Sequence, residues 1–284
     1  MKSFFLLIVL MTFTAGLTKA QQNLFRASQI ISPELHNDKT VTFRLLAPNA
    51  KEVTISGDWM PVEGFVRRPE AMQKNDSVWS YTTAALPSDL YTYTFTVDGV
   101  RCTDPNNAFA VRDVANISNV FIVGDGKGDY YKVNKVPHGT VSDRWYDSPG
   151  NGTSRRITIY TPPGYETSDT KYPVLYLMHG IGGDEEAWMG LGRTSQILDN
   201  LIAQKKAVPM IVVMTNGNVV QEAAPGEGSQ GFVKPTFMLP NTMDGKFEET
   251  LPDIMKFVES NYHIKATKEN RALAGLSMGG YHTS

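Results

Sequence analysis

The pattern of apolar residues changes near residue 150, and no other feature of this 284-residue sequence constrains its fold as strongly. Before that point, short segments such as 41–45 and 91–97 alternate apolar with polar residues, and Asp98-Gly99 follows the second of them. Alternation with a period of two indicates strands that bury one face, and Asp-Gly is a strong hairpin signal. We therefore expect an antiparallel β-sandwich over residues 28–124.

After this change, the apolar segments 173–178 and 210–214 are continuous, as in parallel strands that are buried on both faces. Apolar residues recur at helical spacing between these segments and again over 247–262. Strands that alternate with helices predict an α/β domain over residues 141–284, with a parallel sheet and flanking helices. Residues 125–140 are rich in turn-forming residues and are predicted to be a linker.

The first twenty residues have the three-part layout of a secretory signal peptide. Lys2 precedes an apolar run that is too short to span a bilayer, and Ala20 ends a stretch with small residues where cleavage requires them. A buried N-terminal helix is the alternative. We expect residues 1–20 to be removed, and the mature protein to be secreted or periplasmic and not bound to a membrane.

Charge and cysteine content argue against several classes of function. With 27 basic and 29 acidic residues, the chain has no excess of positive charge for nucleic acid or an anionic membrane surface. Cys102 is the single cysteine, so an internal disulfide is excluded. No cluster of cysteine and histidine in the sequence suggests zinc, and we expect neither a metal nor a cofactor.

Residues 275–280 read Gly-Leu-Ser-Met-Gly-Gly and match the pattern Gly-x-Ser-x-Gly. In α/β serine hydrolases this pattern forms a sharp turn from a strand into a helix, which strains the serine backbone and exposes its hydroxyl above the sheet. Side chains in place of the flanking glycines would clash with the neighbouring strand and helix. Because the motif directly follows a predicted strand at 271–274, Ser277 is the candidate nucleophile.

A second motif, His-Gly-Ile-Gly-Gly at 179–183, directly follows the predicted strand that ends at Met178. In this fold that loop supplies one backbone amide of the oxyanion hole, and the residue after the nucleophile supplies the other. We assign these amides to Ile181 and Met278. A glycine-rich structural turn is the alternative, but two motifs in the expected order, each at a strand end, favour the catalytic interpretation.

Three further features have a structural and a functional interpretation. Trp188 is either a packing aromatic or a platform for substrate. Asn216-Gly217 lies at the end of a predicted strand, where α/β proteins bind ligands, but it is also a common turn. Residues 219–243 form a long loop, and such loops are uncommon unless they contribute to binding.

Residues 137–284 resemble the feruloyl and acetylxylan esterases of carbohydrate esterase family 1, which are close to the esterase D group. The resemblance rests on the sequence Tyr-Thr-Pro-Pro-Gly-Tyr at 160–165, His179-Gly180 followed by Trp188, Asn216-Gly217, Phe247 with Tyr262, and residues 271–280. It implies an α/β-hydrolase fold and a serine esterase that acts on esters of plant cell-wall polysaccharides or oligosaccharides.

Residues 28–124 resemble an early-set immunoglobulin-like domain of the glycogen-binding type, carbohydrate-binding module family 48. In that resemblance Trp59 matches the first of two sugar-stacking tryptophans. Arg101 stands where the second belongs, and Thr94 replaces a lysine that contacts sugar. The resemblance therefore implies weak binding to starch or glycogen, with a changed specificity or the role of a structural spacer.

The general base that Ser277 needs is not evident in the sequence. Serine hydrolases of this fold place the acid and then the histidine of the triad after the nucleophile. No acidic residue follows Ser277, and His282 lies five residues on, which turns it away from the hydroxyl. We expect the α/β-hydrolase domain to be incomplete and C-terminally truncated, with the triad acid and histidine absent, so that these 284 residues alone are inactive.

The sequence thus predicts a secreted serine carboxylic-ester hydrolase that removes feruloyl or acetyl groups from xylan. The pattern does not separate the two acyl groups. A general esterase or acyltransferase on the same scaffold is one alternative. A carbohydrate-binding fragment without catalysis is the other.

Overall fold

The computed structural model describes residues 30–64, 66–229 and 236–284. The predicted signal peptide lies outside these residues. In the described ranges, no helix has the length and apolar character needed to cross a membrane.

The first region is built from strands that form two main sheets. One sheet has the order β1-β2-β8-β7, and the other has the order β11-β12-β9-β3-β6 with β10 paired to β9. A separate hairpin joins β4 and β5, and every strand pair of the region is antiparallel. The strands are β1 Glu34–Leu35, β2 Val41–Leu46, β3 Val53–Gly57, β4 Val62–Glu63, β5 Val66–Arg67, β6 Glu70–Ala71, β7 Gln73–Asn75, β8 Val78–Thr82, β9 Leu90–Val97, β10 Val100–Cys102, β11 Ala110–Asp113 and β12 Asn116–Ile122.

The two main sheets of the first region share one apolar core. Phe43 of β2 and Tyr93 of β9 belong to different sheets, and their ring centroids lie 4.6 Å apart. Phe121 of β12 packs edge-on to Phe43 at 5.4 Å. The alternating segments therefore form antiparallel strands that bury one face, as their period predicts. An immunoglobulin-like topology stays a prediction.

The second region contains a five-stranded sheet with helices on both faces. Its strands are β13 Thr140–Ser148, β14 Thr153–Thr161, β15 Val174–Met178, β16 Ile211–Thr215 and β17 Arg271–Gly275. Its helices are α1 Ala187–Gly190, α2 Thr194–Ala203, α3 Lys246–Asn261 and α4 Met278–Tyr281. The order of the strands across the sheet is β13-β14-β16-β15-β17.

The sheet is mixed, whereas the sequence predicted a parallel one. β15 pairs in parallel with β16 and β17, but β14 is antiparallel to both β13 and β16. The short turn at Pro149–Asn151 joins β13 to β14, and a connection of this length permits only antiparallel pairing. The carboxyl ends of β15, β16 and β17 consequently meet at one edge of the sheet.

Two apolar clusters lie on the two faces of this sheet. On one face, Ile211 and Val213 of β16 pack in a cluster with Ile254 and Val258 of α3. On the other, Val212 and Met214 join a cluster that includes Leu198 of α2. Alternate residues of one strand thus face opposite layers, which explains why the continuous apolar run at this strand is buried throughout.

The predicted linker at 125–140 is packed against the second region. It contains a short 3₁₀ helix at Lys127–Tyr130, and the Asn200 side chain of α2 donates to the carbonyls of Tyr130 and Lys132, both at 3.0 Å. Asn134 donates to the Asn200 side-chain oxygen at 2.9 Å. These hydrogen bonds fix a segment whose turn-rich composition alone suggests a flexible connection.

Candidate active site

Ser277 lies in a strained turn between β17 and α4. Its φ of 54° and ψ of −113° place a non-glycine residue at positive φ, which costs energy and is rare outside functional sites. The residue is exposed, and its hydroxyl makes no hydrogen bond within the described part of the chain. The geometry is that of a nucleophile elbow, in which the turn presents the serine at the carboxyl edge of the sheet.

The flanking glycines of this turn are required by close backbone contacts. A Cβ atom on Gly275 would lie 2.2 Å from the carbonyl carbon of Gly279. One on Gly279 would lie 2.4 Å from the carbonyl oxygen of Met178 at the end of β15. The strand, the turn and the helix therefore approach each other more closely than any residue with a side chain permits.

The loop after β15 packs beside Ser277. A Cβ atom on Gly180 would lie 3.7 Å from the Cβ of Ser277, so the two segments are in van der Waals contact range. Among the described residues, no internal acceptor pairs with the backbone amides of Ile181 and Met278. Both amides assigned from the sequence therefore lack an internal partner, as the predicted oxyanion hole requires.

His179 holds this loop against the end of β16. Its Nε2 accepts a hydrogen bond from the amide of Gly217 at 2.8 Å, so Nδ1 carries the proton and donates to the carbonyl of Gly180 at 2.7 Å. The side chain is buried, and burial lowers the pKa of His179, which favours the neutral ring that this bonding needs. We assign His179 a positioning role.

Glu185 joins the same two loops from inside the protein. Its carboxylate accepts hydrogen bonds from the Asn216 side chain at 2.9 Å, from the amide of Ala224 at 2.8 Å and from Arg156 at 3.1 Å. The side chain is fully buried, and burial raises the pKa of Glu185 to about 7. The carboxylate therefore fixes the segment after β16 relative to the loop that carries Ile181.

Arg155 stabilises the backbone that follows β16. The residue is completely buried, and its guanidinium donates to the carbonyls of Asn216 at 2.8 Å, Asn218 at 2.9 Å and Gln221 at 3.1 Å. Sequence reasoning identified neither Arg155 nor Glu185. Each side chain reaches partners that are distant in sequence, and only the fold brings these groups together.

A cavity of about 290 Å³ opens beside the elbow. Its walls include Gly180, Ile181 and Leu276, and they are mostly apolar. Trp188 forms another part of the wall and donates from Nε1 to the carbonyl of Met178 at 2.9 Å. The tryptophan therefore has both the packing role and the position of a substrate platform that the sequence left open.

No histidine in the described ranges bonds to Ser277, and each ring has other surroundings. His282 pairs through Nδ1 with Glu248 at 2.6 Å, His138 contacts Asp199 at 3.0 Å and His36 contacts Thr42 at 2.8 Å. The ring of His263 packs at 5.4 Å from that of Tyr165, and His179 is engaged as described above. The described residues thus leave Ser277 without a histidine partner, and the oxyanion-hole assignment of Ile181 and Met278 stays a prediction.

Trp59 lies against the core of the first region. Its ring stacks on Phe43 with centroids 5.3 Å apart and an interplanar angle of 9°. A Cβ atom on Gly57 would lie 2.2 Å from the same ring, so backbone also approaches it closely. The packing supports a structural role, and binding of sugar by Trp59 stays a prediction.

Nowhere in the described segments do acidic, histidine and cysteine side chains cluster as a metal site would require.

Residues 148–283 match the family described as Putative esterase. This segment contains Ser277, Ile181 and Met278. An endo-1,4-beta-xylanase/feruloyl esterase of Xylanibacter ruminicola is 32% identical to this chain over 260 residues, which cover 88% of the chain and 33% of the relative. The chain is thus similar to proteins that are named as esterases.

Two further relatives extend this likeness. Esterase Rv1288 of Mycobacterium tuberculosis is 28% identical over 184 residues, which cover 62% of this chain and 36% of that protein. The chain thus spans about a third of the length of these curated relatives. The solved structure of ferric enterobactin esterase from Salmonella typhimurium matches this chain with a TM-score of 0.59 at 14% identity. The match covers 88% of this chain and 69% of the enterobactin esterase chain. That likeness shows the fold alone, and the second region is consistent with an α/β-hydrolase fold.

Proposed function

We propose that the protein is a serine hydrolase of carboxylic esters, with Ser277 as the nucleophile. The observation that carries the proposal is the strained, exposed Ser277, with the unpaired amides of Ile181 and Met278 on the adjacent backbone. A serine at positive φ is maintained only where the surrounding structure holds it. Here the close contacts of Gly275 and Gly279 provide that restraint.

In the proposed reaction, the Ser277 oxygen attacks the ester carbonyl and forms a tetrahedral intermediate. Negative charge develops on the carbonyl oxygen, and the Ile181 and Met278 amides stabilise it. One such donor typically contributes about 3–4 kcal/mol to the rate. Collapse of the intermediate breaks the ester C–O bond, and the alcohol leaves with the proton that Ser277 gave to a general base. The acyl-enzyme that remains is hydrolysed by water.

We propose acylated xylan, a plant cell-wall polysaccharide, as the substrate. The name of the Xylanibacter ruminicola relative joins xylanase and feruloyl esterase activity, which supports this class of ester. The mostly apolar cavity with Trp188 in its wall also favours an aromatic acyl group, since an acetyl group would leave most of the 290 Å³ unfilled. Feruloyl esters are therefore preferred over acetyl esters, and export of the enzyme by its predicted signal peptide fits a polymeric substrate.

A second candidate function is a carbohydrate-binding fragment without catalysis. One observation favours the absence of catalysis, namely that no histidine within the described ranges reaches Ser277. Without a base the serine hydroxyl stays protonated and is a poor nucleophile. A general esterase or acyltransferase would use the same elbow and differ only in the groups that it accepts.

The experiment compares the protein as its gene encodes it with its Ser277→Ala variant on methyl ferulate, acetylated xylan and p-nitrophenyl acetate. Ser168→Ala is the matched control, because Ser168 follows β14 at the opposite edge of the sheet. We expect Ser277→Ala to abolish hydrolysis and Ser168→Ala to leave it unchanged. Hydrolysis that survives Ser277→Ala contradicts the mechanism. Activity on the p-nitrophenyl ester alone supports the general esterase.

A further inference from the structure

The turn between β11 and β12 of the first region reaches the loop that carries Ile181. Arg112 Nη2 in β11 pairs with Asp184 Oδ2 at 2.6 Å and lies 3.7 Å from Glu186 Oε2. The Asp184 side chain is only 3% exposed. Because its charge is buried, Asp184 depends on the cation from the other region.

Asp184 links this ion pair to the local backbone. Its other carboxylate oxygen accepts from the amide of Glu186 at 3.1 Å, and its carbonyl accepts from the amide of Ala187, where α1 begins. Arg112 also donates to the carbonyl of Val114 at 3.2 Å, which ties the guanidinium to its own turn. The pair thus connects two well-defined backbone segments, one in each region.

Val114 forms the second contact between the turn and the loop. A Cβ atom on Gly182 would lie 2.5 Å from Val114 Cγ2, so the valine packs directly on the residue after Ile181. Val114 has a φ of 53°, and Gly182 has a φ of 78°. A β-branched residue at positive φ is strained and persists only where its surroundings hold it. The strain therefore lies at the contact between the two regions.

Asp113, between these two residues, lies in the wall of the cavity beside the elbow. The same cavity is lined by Ile181, Trp188 and Leu276 of the second region. The first region consequently forms part of the site, in addition to touching its supporting loop.

We propose that Arg112 and Val114 are positioning residues of the esterase, which hold the loop of residues 179–184 so that the Ile181 amide points to the oxyanion. The inference rests on the proposed function. It assigns the first region a part in catalysis on small esters, independent of any binding to polysaccharide. A misplacement of about 1 Å can reduce a rate by about a hundredfold, so loss of these contacts acts on kcat.

The variants are Arg112→Ala, Arg112→Lys and Val114→Gly. Arg112→Lys keeps the cation and is the conservative rescue. Val114→Gly removes the packing contact without leaving a buried charge unpaired, and glycine readily adopts the φ of this position, so this variant folds even where Arg112→Ala does not. The matched control is Arg101→Ala, because Arg101 donates to Asn116 and Ser118 of the same hairpin but contacts no described residue of the second region.

Two measurements are made on the protein as its gene encodes it. The first is kcat and KM for p-nitrophenyl acetate. The second is hydrogen exchange of the peptide that covers residues 179–186. We expect kcat to fall about tenfold or more in Arg112→Ala and Val114→Gly, with KM changed less than threefold, and exchange of this peptide to increase. Arg112→Lys restores part of kcat, and Arg101→Ala matches the unmodified protein in both measurements.

A kcat within twofold of the unmodified protein in folded Val114→Gly and Arg112→Ala overturns the proposal. Unchanged exchange in both variants does the same. The exchange measurement needs no turnover, so it separates this inference from the proposed function. Hydrolysis that persists in Ser277→Ala contradicts the function, while the exchange result still decides whether the turn holds the loop.

Discussion

The two regions of the molecule bury different kinds of side chain. Between residues 30 and 124, Asp104 is the only buried charged residue that the structure describes, and an aromatic cluster around Phe43 fills the core. Among its described residues, the second region buries five charged ones, namely Arg155, Arg156, Asp184, Glu185 and Asp199. Burial of a charge is costly unless it is paired, so these residues occur where they hold backbone in place.

Several of these buried charged residues hold loop segments in place. Arg155 and Glu185 bind the segment after β16, and Asp184 receives Arg112 from the first region. These three residues hold the segments that follow β15 and β16 at the carboxyl edge of the sheet, whereas Asp199 binds Tyr160 and Gly139 near the start of β16. Apolar packing therefore specifies the first region, while the conformation of the loops around the elbow depends on buried polar contacts.

The largest expected effect concerns catalysis by the polypeptide of residues 21–284. We expect its rate on p-nitrophenyl acetate to equal that of its own Ser277→Ala variant. No histidine in the described ranges contacts Ser277, and removal of a triad histidine commonly costs about 10⁶ in kcat. A rate in this polypeptide that depends on Ser277 contradicts the expectation and would assign the base to one of its own residues.

The next effect concerns the apolar core of the first region. Trp59→Ala removes a ring that stacks on Phe43, and we expect it to lower the free energy of unfolding by about 2–4 kcal/mol. Trp145→Ala is the control, because Trp145 is 47% exposed on β13, and its effect stays below about 1 kcal/mol. Urea unfolding followed by fluorescence measures both. Equal effects of the two substitutions contradict the placement of Trp59 in the core.

The smallest effect concerns the buried polar contacts of the second region and is measured as the pH dependence of the free energy of unfolding. Burial raises the pKa of Glu185 to about 7 from an ordinary 4.5, so folding favours its protonated form. That contribution to stability is present below about pH 4.5 and is lost as the pH rises through 7. Stability of Glu185→Gln, relative to the unmodified protein, should therefore increase by up to about 3 kcal/mol between pH 4.5 and 8.

Urea unfolding at several pH values measures this change, with Glu63→Gln as the exposed control. The side chain of Glu63 is 72% exposed, so its substitution should leave the pH dependence unchanged. A difference between Glu185→Gln and the unmodified protein that is the same at every pH contradicts the role of the buried carboxyl.

Local patterns in the sequence predicted most elements but not the contacts between them. The apolar runs indicated β15, β16 and the helix at Lys246–Asn261 to within one residue, because burial repeats regularly along each element. The strand Thr140–Ser148 was missed because its residues are mostly polar or exposed, which suits an edge strand and resembles a loop. The parallel pairing predicted for the apolar runs is confirmed for β15, β16 and β17, whereas β14 pairs antiparallel with both β13 and β16, so the sheet as a whole is mixed.

The candidate site was predictable only where its residues are close in sequence. Ser277 and its glycines form a local motif, so the elbow could be identified before the structure was known. Glu185 and Asn216 are 31 residues apart, and Arg112 and Asp184 are 72 apart. Charged residues in such sequences usually lie on the surface, and nothing local indicates that folding buries and pairs them.

The most direct test of the central claim is to identify the residue that an activated-serine reagent modifies. A fluorophosphonate forms a covalent bond to a nucleophilic serine oxygen with loss of fluoride, and peptide mass analysis then locates the adduct. In the protein as its gene encodes it, we predict stoichiometric modification of Ser277, with hydrolysis of methyl ferulate lost in proportion. Loss of activity with the adduct on another residue, or full activity with Ser277 modified, would contradict the account.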